Sequence, residues 1–236
     1  MKYFDIYLKR LNRYGLDYQS RTQAKREKTF EAYLLKSVYK VDFNFEGNVY
    51  EGSFEKFRQD ETETLHYLLT KRDLIIPNGT VLEIEGQKNP WMVYYLEDIA
   101  ASGYNRYIML KMTHFITWRG RDENIYNSWA YMYGQENNML KDEIRSRSRM
   151  GTLDAENLKT SFFVMPLNKN VNKDDYFTVG EGELKEAYVV TGYDRQSTQG
   201  VMYVTIDPTY ERDTSIENLT QEEIQSEDYF WLNGGV

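Results

Sequence analysis

The pattern of hydrophobic positions changes near Val38 from a helical to an alternating one. Leu8, Leu11 and Tyr14 repeat at helical spacing, and the residues that follow have a good helix-forming composition. Beyond Val38, apolar and polar residues alternate as they do in half-buried β-strands. The pattern therefore predicts an N-terminal helical segment over residues 1–37 and a β-rich chain after it.

A hairpin is predicted directly after the helical segment. Residues 39–45 alternate between apolar and polar side chains, Gly47-Asn48 forms a turn, and residues 49–54 continue the alternation. Two such runs joined by a glycine-bearing turn are typical of an antiparallel pair of strands.

Two later stretches, residues 80–112 and 176–206, share one design of strand, turn, strand, polar loop and strand. Short strands separated by polar or glycine-bearing turns indicate antiparallel meanders that curl into a small barrel or sandwich. The predicted fold class is therefore mainly β with an N-terminal helical segment and two small antiparallel barrel or sandwich units. The shared design also suggests a distant internal duplication, although the two stretches have few identical residues.

These patterns divide the chain into five segments. They are the N-terminal helical segment (1–37), a first β unit (38–120), a polar connecting loop region (121–160), a second β unit (161–210) and an acidic C-terminal tail (211–236).

The net charge of −8 is unevenly placed along the chain. The tail carries seven acidic residues against Arg212 alone, whereas the predicted helix carries Arg21, Lys25, Arg26 and Lys28. This basic stretch has no apolar face, so it lies either in solvent or under another chain. Ends of opposite charge can guide association and set its register, which makes these four residues a candidate subunit-contact helix. Two solvated faces explain the same charges equally well.

A second basic cluster, Arg145, Arg147 and Arg149, lies in the connecting region. Alternate residues of an extended loop point the same way, so the three guanidinium groups can act together on a phosphate backbone or on an acidic neighbour. This is a candidate interface or DNA-channel loop, and a solvated loop is the simpler interpretation. The acidic total argues against a dedicated nucleic-acid-binding protein.

Few residues of this chain can carry catalysis. It has no cysteine and only two histidines, His66 and His114, both in strand-like runs where a packing role is usual. No nucleophile elbow or phosphate-binding loop is present, and carboxylate pairs such as Glu83 and Glu85 are interpreted as solvated surface. We therefore expect a protein that is not an enzyme and that holds no metal and no cofactor.

Tyrosine is the unusual component of the composition. The chain has 21 Tyr, 11 Phe and 4 Trp. A tyrosine combines a large apolar ring with one hydrogen-bonding end, which suits half-buried strands and partly wet interfaces. Strand propensity accounts for part of the excess. No run of apolar residues is long enough to span a membrane, and we expect synthesis and folding in a cytoplasm, with no membrane partner.

The order of these features resembles a family of virion structural proteins of tailed bacteriophages and prophages of Gram-positive bacteria. The matching segments are residues 7–15 with the basic helix after them, 78–84 leading to 91–93, 114–119 before a polar turn, 162–168, 187–191 and 200–204. The family often has Cys-Asn before the His-Phe pair, whereas this chain has Met112-Thr113. The likeness spans most of the chain, and no single motif in it is diagnostic.

The resemblance implies a head–tail connector in the neck of the virion, as a head-closure (stopper) protein or an adaptor. Its implied partners are copies of itself in a cyclic ring, the portal or adaptor protein, tail proteins and, transiently, packaged DNA. A cyclic ring needs two different complementary faces on each subunit, and the oppositely charged ends can supply them.

Two alternatives come from other classes of protein. One is a carbohydrate-binding β-sandwich of a tail-tip or host-recognition protein, in which exposed tryptophans stack on sugar rings. Its candidates are Trp91, Trp118, Trp129 and Trp231, of which Trp91 and Trp118 lie in strand patterns that indicate core positions. The other is a hydrolase with an unrecognised carboxylate pair, which requires a deep acidic cleft.

Overall fold

The computed structural model describes residues 3, 6, 18–57, 64–97, 102–133, 161–180 and 185–209. Within them, helix α1 covers Tyr18–Leu34 and twelve strands follow it. The strands are β1 (Lys40–Phe45), β2 (Asn48–Lys56), β3 (Leu65–Lys71), β4 (Val81–Leu82), β5 (Trp91–Glu97), β6 (Tyr104–Lys111), β7 (His114–Arg119), β8 (Ile125–Tyr133), β9 (Ser161–Pro166), β10 (Tyr176–Val179), β11 (Glu186–Thr198) and β12 (Val201–Thr209).

The strands form two antiparallel six-stranded sheets. Strands β1 to β6 form sheet I, in the order β1-β2-β3-β6-β5-β4, and strands β7 to β12 form the closed barrel II, in the order β7-β8-β9-β12-β11-β10. Barrel II closes where β7 pairs with β10, with Trp118 opposite Phe177. In sheet I a single bridge between Phe43 and Ile84 joins β1 to the residues after β4. The predicted fold class is thus confirmed.

The two sheets have the same topology. When the strands are counted from the first strand of each sheet, both follow the order 1-2-3-6-5-4, and both are joined between strands 1 and 4. The similar stretches 80–112 and 176–206 form strands 4 to 6 of their respective sheets. This equivalence supports the internal duplication suggested by the sequence.

The strand pairing divides the chain near residue 113, whereas the sequence pattern predicts that the first β unit ends at residue 120. Strand β7 pairs with β8 and β10, so it belongs to barrel II. Strand β8 lies in the region that was predicted to be a polar loop. Its buried positions include Ser128 and Ala130, and these small side chains hide the hydrophobic alternation that would have indicated a strand.

Each sheet encloses an aromatic core. The core of sheet I contains Phe43, Trp91 and Tyr107, and that of barrel II contains Trp118, Phe163 and Phe177. Trp118 donates from Nε1 to the Asn170 carbonyl oxygen at 3.3 Å. The burial of Trp91 and Trp118, at about 1% exposure or less, confirms that they are core residues.

A third core cluster lies between the two sheets. From sheet I it includes Leu65, Tyr94 and Ile108, and from barrel II it includes Phe162 and Tyr203. The Tyr94 and Tyr203 hydroxyl groups are hydrogen-bonded at 2.7 Å within it. The two sheets therefore share buried apolar surface rather than being joined only by the chain.

Two glycines allow the sheets to meet at a second point. Gly79 follows the turn at Pro77-Asn78, and Gly200 lies in the β11–β12 turn, and both have positive φ angles, of 83° and 77°. A Cβ on Gly79 would lie 1.9 Å from the Gly200 carbonyl oxygen, and a Cβ on Gly200 would lie 2.1 Å from the Asn78 carbonyl oxygen. Side chains at these positions would separate the two turns.

We expect Gly79→Ala to destabilise the protein by about 3 kcal/mol or more, because it adds both left-handed strain and a collision with the Gly200 backbone. The matched control is Gly86→Ala, where φ is 77° but no atom lies within 4 Å of the added Cβ. The control should cost only the conformational strain, about 1 kcal/mol. Urea unfolding followed by circular dichroism measures both, and equal losses would contradict the close approach of the two turns.

Candidate interaction surface

Helix α1 is held against sheet I by two of its side chains. Phe30 and Leu34 are buried against Leu69, with Tyr67 and Tyr104 beside them. The ring centroids of Phe30 and Tyr104 are 5.0 Å apart. Spacing of i and i+4 places Phe30 and Leu34 on one helical face, and most of the other α1 side chains remain partly or fully exposed.

The first half of α1 rests on the loop that leads into β6. A Cβ on Gly103 would lie 2.4 Å from the carbonyl carbon of Arg26, so only glycine allows the helix backbone to approach this closely. Gln23 donates from Nε2 to the Ser102 carbonyl oxygen at 3.3 Å and to Glu27 Oε1 at 2.8 Å. These contacts fix the position of the helix above the sheet.

A groove of about 890 Å³ remains between α1 and sheet I. We call it the α1 groove; it is lined by Thr22, Lys25, Arg26, Thr29, Phe30, Tyr33, Glu55, Leu69, Ser102, Gly103 and Tyr104. Its lining combines aromatic and aliphatic surface with two cations. At one end, Glu55 accepts hydrogen bonds from the Tyr33 hydroxyl at 2.6 Å and from Ser53 Oγ at 2.9 Å.

The structure separates the four basic residues that were predicted to form a subunit-contact helix. Lys25 and Arg26 line the α1 groove and are exposed, whereas Arg21 and Lys28 are outside its lining. Among the described residues, neither Lys25 nor Arg26 has an ion-pair partner. Two uncompensated cations beside apolar surface favour an acidic segment with apolar side chains.

The aromatic lining of the groove was not predicted. Tyr33 and Tyr104 are distant in sequence, and only the Phe30 and Leu34 spacing on α1 signals an apolar contact. Leu35 and Val38 extend the exposed apolar surface beyond the helix, at 78% and 89% exposure. The other predicted surface, Arg145, Arg147 and Arg149, lies outside the described residues, as does the acidic tail.

A second, more polar cleft of about 570 Å³ involves Trp129 of barrel II and residues of sheet I. We call it the Trp129 cleft; its polar lining is Asp42, Asn44, Glu83, Glu85, Gln87, Lys88 and Asn89. Trp129 is half-buried and its ring meets Phe115 edge to face, with the centroids 5.3 Å apart. The fold thus brings Glu83 and Glu85 to one cleft with Asp42, which the sequence did not indicate.

The two histidines have packing environments. His66 stacks on Phe54, with centroids 4.6 Å apart, and meets Trp91 edge to face. His114 is half-buried, and its Nδ1 is 2.8 Å from Thr113 Oγ1. Burial lowers the pKa of His114, and the nearby Glu186 carboxylate opposes this effect.

Within the described ranges, no group of three or more His, Cys, Asp or Glu side chains is arranged to hold a metal ion. In the same part of the chain no helix is both long and apolar enough to cross a membrane.

Comparison with known proteins identifies no family. No family model and no curated protein matches the chain. A crystal structure of K. pneumonia MrkH has a TM-score of 0.24 at 7% identity, covering 80% of this chain and 85% of that one. The MrkH–c-di-GMP complex has a TM-score of 0.25 at 8% identity, covering 80% and 87%. TM-scores this low do not establish a shared fold.

We expect Phe30→Ala to lower the free energy of unfolding by about 2–3 kcal/mol, because Phe30 supplies much of the apolar contact between α1 and sheet I. Leu35→Ala is the control, one residue beyond the helix in a largely exposed position, and should cost less than about 0.5 kcal/mol. Chemical unfolding of the full chain measures both, and an equally small loss for the two variants would show that α1 is not held through Phe30.

Proposed function

We propose that the chain is a non-enzymatic structural subunit of a tailed-bacteriophage virion. In this proposal it is a head–tail connector, of the head-closure or adaptor type, that forms a ring between portal and tail. Its partners are copies of itself, the portal or adaptor protein and tail proteins. The order of features along the chain, which resembles virion structural proteins, is the sequence argument for this position.

The observation that carries the proposal is the incomplete packing of α1. The helix buries Phe30 and Leu34, yet it leaves the α1 groove open and Lys25 and Arg26 without ion-pair partners among the described residues. A helix that is polar around most of its circumference is expected to be covered by another chain or to bridge between bodies. Covering by a neighbouring subunit satisfies both the cations and the apolar lining.

The two sheets fit the same role. Both have aromatic cores, and they share a third core, so the two sheets form one packed body. A packed body with peripheral contact elements is suited to cyclic assembly, in which each copy presents one surface to each neighbour. The predicted loop with Arg145, Arg147 and Arg149 is assigned, within this proposal, to the next ring or to packaged DNA.

A carbohydrate-binding role is the second candidate, and the Trp129 cleft favours it. A half-exposed indole beside several amide and carboxylate groups can stack on a sugar ring and hydrogen-bond its hydroxyl groups. Glycoside hydrolysis is less well supported, because a catalytic acid needs a carboxyl group held in an apolar pocket, whereas Glu83 and Glu85 are exposed.

We expect the purified full chain to form a closed ring at high protein concentration or on addition of the portal protein from the same phage genome. Native mass spectrometry gives the number of copies, and negative-stain electron microscopy gives the rotational symmetry. A chain that stays monomeric under both conditions would overturn the connector proposal.

The connector proposal also predicts that no glycan binds in a glycan array probed with the full chain. Binding that disappears with Trp129→Ala would instead establish the second candidate. The control is Tyr193→Ala, which removes an exposed aromatic ring of barrel II outside the cleft. Thermal unfolding of both variants separates loss of binding from loss of the fold.

A further inference from the structure

We propose that the α1 groove of one copy binds the acidic C-terminal tail, residues 211–236, of the neighbouring copy. The inference rests on the proposed function, because it names the contact by which successive subunits of the ring recognise each other. The groove and the tail match in both charge and apolar character.

The electrostatic part is a match of opposite charges. Lys25 and Arg26 lie exposed in the groove lining with no ion-pair partner among the described residues. The tail has seven acidic residues and one arginine, and Glu222, Glu223, Glu227 and Asp228 lie close together in it along the sequence. Tail carboxylates that lie beside Lys25 and Arg26 would neutralise two positive charges that have no partner among the described side chains.

The apolar part is a match of aromatic surface. Phe30, Tyr33, Leu69 and Tyr104 give the groove an apolar lining. In the tail, Tyr229-Phe230-Trp231-Leu232 follows directly on the acidic pair Glu227-Asp228. Aromatic anchors in a pocket supply most of the energy of typical interfaces, and adjacent charges supply specificity and register. A groove of about 890 Å³ has room for such anchors.

The acidic side chains already present at the groove leave the two cations available. Glu55 is occupied by hydrogen bonds from Tyr33 and Ser53, and Glu27 accepts one from Gln23. Glu31 pairs with Lys71 of β3 at 3.6 Å. Among the described residues, these three carboxylates are thus engaged with other groups, and an incoming carboxylate can meet the two cations.

The geometry of a ring favours the tail of a neighbouring copy, rather than the tail of the same copy, as the segment that binds in the groove. In a cyclic assembly each subunit must offer two different, mutually complementary surfaces. A groove and a tail on every copy provide such a pair, whereas a tail folded into its own groove would use up both. Head-to-tail binding of this kind gives a closed ring when the rotation between successive copies brings the last copy back to the first.

The test places a photocrosslinker in the tail of the full chain, as Trp231→p-benzoylphenylalanine. Equal amounts of ¹⁴N- and ¹⁵N-labelled protein are mixed and irradiated, and the crosslinked peptides are identified by mass spectrometry. We expect mixed-isotope pairs between the tail and the peptides that contain Phe30, Leu69 or Tyr104. Crosslinks within one chain, or to other surfaces only, would overturn the inference.

Charge reversal supplies the matched control. The double variant Lys25→Glu, Arg26→Glu should reduce the yield of these crosslinks at least tenfold. The double variant Lys169→Glu, Lys173→Glu makes the same charge change on exposed residues of barrel II, and it should leave the yield unchanged. Adding Glu222→Lys and Glu223→Lys to the first variant should restore the yield. Equal losses in both charge-reversed proteins would point to net charge and reject the groove.

These outcomes are separable from a failure of the proposed function. Rings that form while the tail crosslinks elsewhere would reject the tail contact and leave the connector role intact. A chain that forms no ring, alone or with portal protein, would reject the connector role itself.

Discussion

The outer face of sheet I is the surface on which the rest of the molecule depends. Barrel II packs on it through the cluster that contains Ile108, Leu110 and Tyr203, and α1 packs on it through Phe30 and Leu34. Tyr67 contacts both clusters. The Arg106 guanidinium lies 4.9 Å from the centre of the Tyr67 ring and also forms an ion pair with Glu97. One face of one sheet thus fixes the position of both the barrel and the helix.

This arrangement follows from how side chains alternate along a strand. In β6, Tyr107 and Met109 point into the core of sheet I, whereas Ile108 and Leu110 point outward to barrel II. A strand that is apolar on both faces is expected to be covered on both, so exposing the outer face of sheet I to water would cost free energy. The paired glycines at 79 and 200 then let the two bodies approach until that face is closed.

Sequence reasoning predicted what local patterns determine. The β1–β2 hairpin and the burial of Trp91 and Trp118 follow from alternation over a few residues. Strand β8 was not predicted, because its buried residues include Ser128 and Ala130, whose small side chains do not produce an alternating hydrophobic pattern. The α1 groove was not predictable, because it joins residues of α1 to Ser102 and Tyr104 through non-local packing. Charge patterning marked the helix as basic but did not show that Lys25 and Arg26, rather than Arg21 and Lys28, line the groove.

The stability of α1 depends on how the helix docks on sheet I. Most of the stability of a helix in a protein comes from the packing of its apolar face, so the order of α1 depends on docking. Burying Phe30 and Leu34 contributes about 1.5–3 kcal/mol each, and immobilising the surrounding side chains offsets part of that gain. The helix is therefore docked by a modest margin. In the proposed assembly, a chain that fills the groove would add apolar burial and compensate Lys25 and Arg26, which would couple order in α1 thermodynamically to assembly.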